Sequence, residues 1–228
     1  MKLVTFGDDP SKIKYLREPF INLGLGKQFK DTFSKLEALR ECKFTDEELV
    51  CFVDGYDVMQ FGDLDEIETK FKSFGADMVV GAEIFCWPSP WMAHLFPEVP
   101  TKYRFPNSGM YMGKWWAIKK MLDWDQYRLT FDDQGYFHDW YLRQNSVKVV
   151  QDHDCILFQN CVFVPWTELG YSEGGRVTNL VKGTTPCFLH FSGKSDRIVG
   201  GDESVMEYLA RGEPIGRLQQ FPKLKHGP

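Results

Sequence analysis

Short apolar runs alternate with segments of helical periodicity along most of this 228-residue chain. Strand–helix–strand repetition of that kind restricts a chain to an α/β fold with an open, mostly parallel sheet flanked by helices. Lys2–Phe6 and Phe20–Leu25 read as strands, the second closing on Gly24 and Gly26. Asp31–Cys42 then places Phe33, Leu36, Ala38 and Leu39 on one side of a helix. Leu49–Val53 is a strand, Leu64–Phe74 a helix and Asp77–Ala82 a strand. Asn107–Gly113 reads as a strand, Trp115–Trp124 as a helix, and Asp132-Asp133-Gln134 opens a helix that runs to Leu142. Val147–Val150, Cys155–Phe158 and Phe188–Phe191 are further short strands. Residues 1–200 are expected to form one domain, and 201–228 a charged, Gly-rich tail with one short helix near Glu203–Arg211.

Within that pattern, Leu49–Val53 is followed by Asp54-Gly55-Tyr56-Asp57. In an open α/β sheet, ligands bind at the C-terminal ends of the strands. Two carboxylates delivered there suit a hard divalent cation, although an Asp-Gly turn alone accounts for the same residues. Leu189-His190-Phe191-Ser192-Gly193-Lys194 is the complementary segment. Its histidine is able to complete a metal shell begun by Asp54 and Asp57. Its glycine lets the backbone approach a phosphate, and Lys194 supplies positive charge. Three separate features would then serve one metal–diphosphate group.

Trp87–Pro106 breaks the alternation with Pro88, Pro90, Pro97, Pro100 and Pro106 and with Trp87, Trp91, Phe96, Tyr103 and Phe105. It is either a packed surface loop or a lid and acceptor wall. The acids Asp132 and Asp133 also suit a helix N-terminus on dipole grounds alone.

Composition excludes several classes. A net charge of −5 opposes general nucleic-acid binding, which needs clustered cations. Asp8, Asp9, Lys12 and Lys14 interrupt the N-terminal segment, so no leader is expected there. No run reaches the ~18 apolar residues of a membrane helix. The chain as written is expected to be cytoplasmic, and a lone domain without a leader suits a viral or bacterial source. The six cysteines form no C-x-x-C pair, so a zinc site and disulfides are not expected.

The ordered segments Leu23-Gly24-Leu25-Gly26, Phe52–Val58, Ala82–Pro88, Phe96–Val99, Asn107-Ser108-Gly109, Asp132-Asp133-Gln134 and Leu157–Asn160 carry a resemblance. From about Lys2 to Lys194 the chain resembles the glycosyltransferase domain of the multifunctional procollagen lysyl hydroxylases, which has a GT-A fold. The His190-x-x-Gly193-Lys194 turn is also similar to the C-terminal motif of glycogenin-like retaining transferases.

The resemblance implies roles residue by residue. Asp57 and His190 would ligate Mn²⁺ directly, and Asp54 directly or through water. Tyr56 matches an aromatic lying against the uracil of a UDP-sugar, UDP-glucose being the favoured donor. Phe29 stands where the family carries a tryptophan on the other side of that ring, and Lys30 matches a lysine near the donor diphosphate. Thr5, Gly193 and Lys194 complete the implied nucleotide contacts. Asp132, Asp133 and Gln134 match residues facing the donor sugar, with Asp133 nearest the anomeric carbon and Asn107 beside them. Ser192 replaces a family asparagine.

The implied reaction moves glucose, with retention, to a galactosyl-hydroxylysine acceptor on a collagen-like chain. UDP-galactose with hydroxylysine as acceptor, a silent nucleotide-binding scaffold, and a metal-dependent nucleotidyltransferase or phosphatase are the rival readings. Asp152-His153-Asp154 does not fit the His-x-Asp…His iron triad, and no hydroxylase activity is expected.

Overall fold

The computed structural model describes residues 1–124, 132–171, 175–193, 195 and 204–212. Its centre is a six-stranded sheet in the order β2 (Ile21–Asn22), β1 (Lys2–Phe6), β3 (Leu49–Asp54), β6 (Phe105–Lys114), β5 (Met78–Glu83), β7 (Val149–Asp152). All neighbours are parallel except β6, which runs antiparallel to both β3 and β5. The open, mostly parallel sheet flanked by helices is thus present, with one reversed strand inside it.

Both faces of this sheet are covered, which is why its strands are apolar throughout rather than alternating. Val50 and Phe52 of β3 point to the same cluster as Leu36 and Leu39 of α1 (Phe33–Arg40), Ile118 of α3 (Trp115–Leu122) and Trp140 of α4 (Asp133–Arg143). Cys51 and Val53 point the other way, to Ile67 and Phe71 of α2 (Leu64–Ser73). The period of two along β3 therefore sorts its side chains into two cores. Asp63 caps α2, accepting from the Glu66 N–H at 2.8 Å.

A second sheet of three strands follows the order β4 (Val58–Gln60), β11 (Phe188–His190), β8 (Phe158–Asn160). Strands β9 (Leu169–Tyr171) and β10 (Val177–Asn179) form an antiparallel pair. Within residues 201–228, α5 (Val205–Ala210) is described, and its Val205, Met206, Tyr208 and Leu209 pack with Leu189 and Phe191. All six cysteines are free. Among the described residues, no helix is long and apolar enough to cross a membrane.

Several expected bounds shift. The strand expected over Phe20–Leu25 is only Ile21–Asn22, because after the Leu23 N–H bonds the Thr5 carbonyl the Gly24 N–H turns back to the Asn22 side chain. The strand expected over Val147–Val150 is Val149–Asp152, its register set by pairing with β5. That expected over Cys155–Phe158 is Phe158–Asn160. The preceding turn is held by Asp152, which accepts from the Ile156, Leu157 and Phe158 N–H groups.

Candidate active site

Strand β3, inside the central sheet, carries Asp54 at its C-terminal end, and the turn Gly55–Asp57 hands the chain to β4 in the second sheet. Strand β4 pairs antiparallel with β11, with Val58 opposite His190. The Phe191 N–H donates to the Asp57 carbonyl at 2.8 Å. The junction of the two sheets thereby sets both acids beside a histidine distant in sequence. One ligand atom from each of Asp54, Asp57 and His190 lies within 4.8 Å of the others.

The ring of His190 is buried and polarised. Its Nδ1 lies 2.9 Å from Asn160 Oδ1 and 3.1 Å from Asn107 Oδ1, so it donates to amide oxygens. That leaves Nε2, 3.4 Å from Asp57 Oδ1 and 3.7 Å from Asp54 Oδ2, as the ring atom that takes a second proton or, when one is bound, a cation. Nε2 is buried with no hydrogen-bond partner among the described residues, a costly arrangement for a polar atom. Two carboxylates and an imidazole lone pair converging on one point fit a divalent cation. Burial opposes charge on His190, but Asp57 and then Asp54 outweigh it and raise its pKa. Burial likewise works against an ionised Asp57, yet His190 holds it below the ordinary carboxylate range. Burial raises Asp54, with Lys35 opposing and Asp57 adding to the rise.

Close approach here requires glycine at position 109 on β6. A Cβ there would sit 2.3 Å from His190 Cε1 and 2.7 Å from Asp54 Oδ2. Gly109→Ala is therefore expected to cost about 1–3 kcal/mol in thermal unfolding through overpacking. It should also weaken metal binding by roughly 10–100-fold by displacing the histidine. A wild-type metal titration curve for this variant would contradict the geometry.

Helix α4 and helix α1 supply the neighbouring wall. Asp132 is the N-cap of α4 and accepts from the Gly135 N–H at 2.7 Å. Asp133 is buried instead, accepting from Ser108 Oγ at 2.7 Å and pairing with Lys35 Nζ at 2.8 Å. The same ammonium pairs with Asp54 Oδ1 at 2.7 Å. Burial opposes its charge, but Asp133 and Asp54 outweigh burial and raise the Lys35 pKa. Reciprocally, burial works against an ionised Asp133, and Lys35 overcomes it and lowers its pKa. Among the described residues, Asp54, Asp57 and Asp133 outnumber the ammonium of Lys35 that pairs with them, a surplus of acid that suits a cation.

Gln134 is held at both ends. Its Oε1 accepts from the Ser108 N–H at 3.0 Å, and its Nε2 donates to Glu83 and, at 3.0 Å, to the Trp87 carbonyl. Asn107 Nδ2 donates to the other Glu83 oxygen at 3.2 Å. Burial pushes Glu83 up to about 7, with His190 and the two amide donors opposing. A carboxyl in that range exchanges a proton readily at neutral pH.

On the other side of the acid pair, Tyr56 and Phe29 are both partly exposed aromatics. Asp8 joins them: Tyr56 Oη donates to Asp8 Oδ1 at 2.6 Å and the Phe29 N–H donates to Asp8 Oδ2 at 3.2 Å. Thr5 is buried and its hydroxyl donates to the Val53 carbonyl at 2.8 Å. Lys30 is exposed on the loop before α1, and the lysine paired with the site acids is Lys35. Gly193 adopts φ 67°, a left-handed turn suited to glycine, and Lys194 lies outside the described residues.

The structure thus brings together Asp54, Asp57, His190, Asn107, Asp133 and Gln134. Sequence reasoning missed Lys35, Glu83, Ser108, Asn160 and Asp8. Glu83 carried a readable signal, since it ends a strand as Asp54 does. Lys35 carried a fainter one, as a charged residue directly before Leu36 on a helix whose neighbours are apolar.

The family model described as the PLOD GT domain matches residues 26–210. The human "Multifunctional procollagen lysine hydroxylase and glycosyltransferase LH3" is 32% identical over 158 residues, covering 66% of this chain and 21% of that protein. The Drosophila melanogaster "Procollagen-lysine,2-oxoglutarate 5-dioxygenase" is 32% identical over 222 residues, covering 86% of this chain and 31% of the relative. "Uncharacterized protein R699" of Acanthamoeba polyphaga mimivirus is 27% identical over 194 residues, covering 84% and 40%. The chain therefore spans between 21% and 40% of the length of these relatives. A solved galactosyltransferase in complex with donor and acceptor sugar analogs overlays 98% of both chains at a TM-score of 0.49 and 11% identity.

Proposed function

From the premise that the chain belongs to the PLOD GT domain family, and is on that membership a glycosyltransferase, we propose a specific reaction. It is the Mn²⁺-dependent, retaining transfer of a hexose, glucose being favoured, from a UDP-sugar to a galactosyl-hydroxylysine on a collagen-like chain. The observation that carries this reading is the convergence of Asp54, Asp57 and His190 on one point, with the buried His190 Nε2 aimed at both carboxylates and without a hydrogen-bond partner among the described residues.

In this reading the three residues hold the ion. A divalent cation so bound would offset the negative charge that grows on the departing diphosphate. The remaining steps belong to the chain's own side chains. Tyr56 and Phe29 flank the base, and Asp8 sets the separation of the two aromatics through one hydrogen bond to each. Asp133 is kept ionised by Lys35 and Ser108, and its fixed negative charge would stabilise an oxocarbenium-like sugar. Gln134 and Asn107, each bonded to Glu83, are fixed beside Asp133 and His190 and would orient the donor sugar without rotating freely.

A panel of UDP-sugars with Mn²⁺, reading UDP release with and without a galactosyl-hydroxylysine peptide, tests the assignment. UDP-glucose is expected to give the fastest acceptor-stimulated release. Faster turnover of UDP-galactose with a hydroxylysine acceptor would replace glucose and the glycosylated acceptor. Release from none of the donors would overturn the proposal.

A further inference from the structure

Phe163 is a strained and exposed aromatic in a place where neither property is ordinary. Its φ is 58°, in the left-handed region that bulky residues avoid, and the residue is 51% exposed. Its ring meets Phe85, itself 45% exposed, at 6.1 Å between centroids and 63° between planes. Single exposed aromatics are common and need no explanation. A pair of them, held together by a backbone conformation that opposes one of the two, does need one.

The pair sits on two segments that leave the active site side by side. Phe85 lies two residues beyond Glu83, at the end of β5. Phe163 lies three residues beyond Asn160, at the end of β8. Asn160 fastens these ends together. Its Nδ2 donates to the Ala82 carbonyl at 3.0 Å, while its Oδ1 accepts from His190. The turn after Glu83 is in turn fixed to the sugar-side residues, since Gln134 Nε2 donates to both Glu83 and the Trp87 carbonyl. The two rings therefore stand two and three residues beyond side chains that Gln134 and His190 hold in the candidate site, on segments other than those bearing Tyr56 and Phe29.

We infer that Phe163 and Phe85 form an acceptor subsite, an aromatic shelf for the apolar face of a terminal pyranoside on the incoming substrate. This rests on the proposed transferase reading and extends it to the acceptor. The C–H groups on one face of a hexopyranose are slightly positive and match the negative face of an aromatic ring. A bare hydroxylysine side chain presents no such face. The shelf therefore selects an acceptor that already carries a sugar.

Glycine accepts φ 58° without strain, so Phe163→Gly removes the ring without opposing the fold. Acceptor kinetics with galactosyl-hydroxylysine and with hydroxylysine peptides are compared for wild type, Phe163→Gly, Phe85→Ala and Phe163→Tyr. Phe163→Gly is expected to raise KM for the galactosylated acceptor on the order of tenfold with kcat nearly constant. Phe163→Tyr should restore wild-type KM, and melting of Phe163→Gly should not fall. Titration of galactosyl-hydroxylysine alone into wild type and Phe163→Gly should show the same loss of affinity, whether or not turnover is observed. An unchanged KM and titration in Phe163→Gly would overturn the shelf, as would an equal rise with the unglycosylated acceptor. Acceptor-free UDP release reads the donor half separately. Absence of UDP release in wild type both with and without acceptor counts against the transferase reading, while the titration still decides the shelf.

Discussion

Asp57→Ala is expected to lower Mn²⁺-dependent UDP release by a factor on the order of 10³, the scale on which removal of one electrostatic stabiliser acts. Asp57 is the better of the two acids for this test. Asp54 also pairs with Lys35, so its removal would disturb Asp133 indirectly. Asp57 faces His190 and, among the described residues, belongs to no other ion pair. His190 holds the Asp57 pKa below its unfolded value, so Asp57→Ala also removes a stabilising pairing, and the thermal midpoint near neutral pH should fall modestly while activity collapses. Turnover within tenfold of wild type would show that the acid pair is merely the turn that an Asp-Gly sequence favours.

Lys35→Met is expected to have the second large effect, and on stability as well as rate. The ammonium is nearly enclosed and lies between Asp54 and Asp133, at 2.7 and 2.8 Å. Removing one partner of a buried ion pair costs about 3–5 kcal/mol, because the remaining charges are stranded. The pH dependence has a definite sign. In wild type Lys35 holds the Asp133 pKa below its unfolded value, so that pairing stabilises the fold above the unfolded pKa and is lost as pH falls through the folded one. In Lys35→Met the hydrogen bonds from Ser108 and Thr32 remain against burial but the lowering by Lys35 is lost, so the Asp133 pKa rises and the variant forfeits the stability that wild type gains as pH rises. The deficit relative to wild type should therefore be largest near neutrality and shrink toward pH 4. Denaturant melts at several pH values measure it, and a deficit independent of pH would contradict the Lys35–Asp133 pairing as its source.

How much of this was legible depends on burial. Strands β1, β3 and β5 were readable because both faces of the central sheet are covered, which writes an unbroken apolar run into the sequence. Strands β4, β9 and β10 were not, since three residues carry no period and Val58 sat inside what read as a turn. Asp132 and Asp133 read as one pair of acids, yet one step along the helix start separates a cap from a buried ion pair. The dipole reading holds for the cap, Asp132. The ligand trio was readable because Asp54 and His190 each end an apolar strand. Lys35 was not, because only the packing of α1 onto the sheet turns a helix-surface lysine toward two carboxylates.

The central claim is that Asp54, Asp57 and His190 form one cation site that serves a nucleotide diphosphate. Calorimetric titration of Mn²⁺ into the full chain, with and without UDP, tests it most directly. The account predicts a single Mn²⁺ site that UDP tightens, by a factor equal to that by which Mn²⁺ tightens UDP. It also predicts that Asp57→Ala abolishes the coupling. Mn²⁺ and UDP binding that are independent of each other, or unchanged in Asp57→Ala, would contradict it.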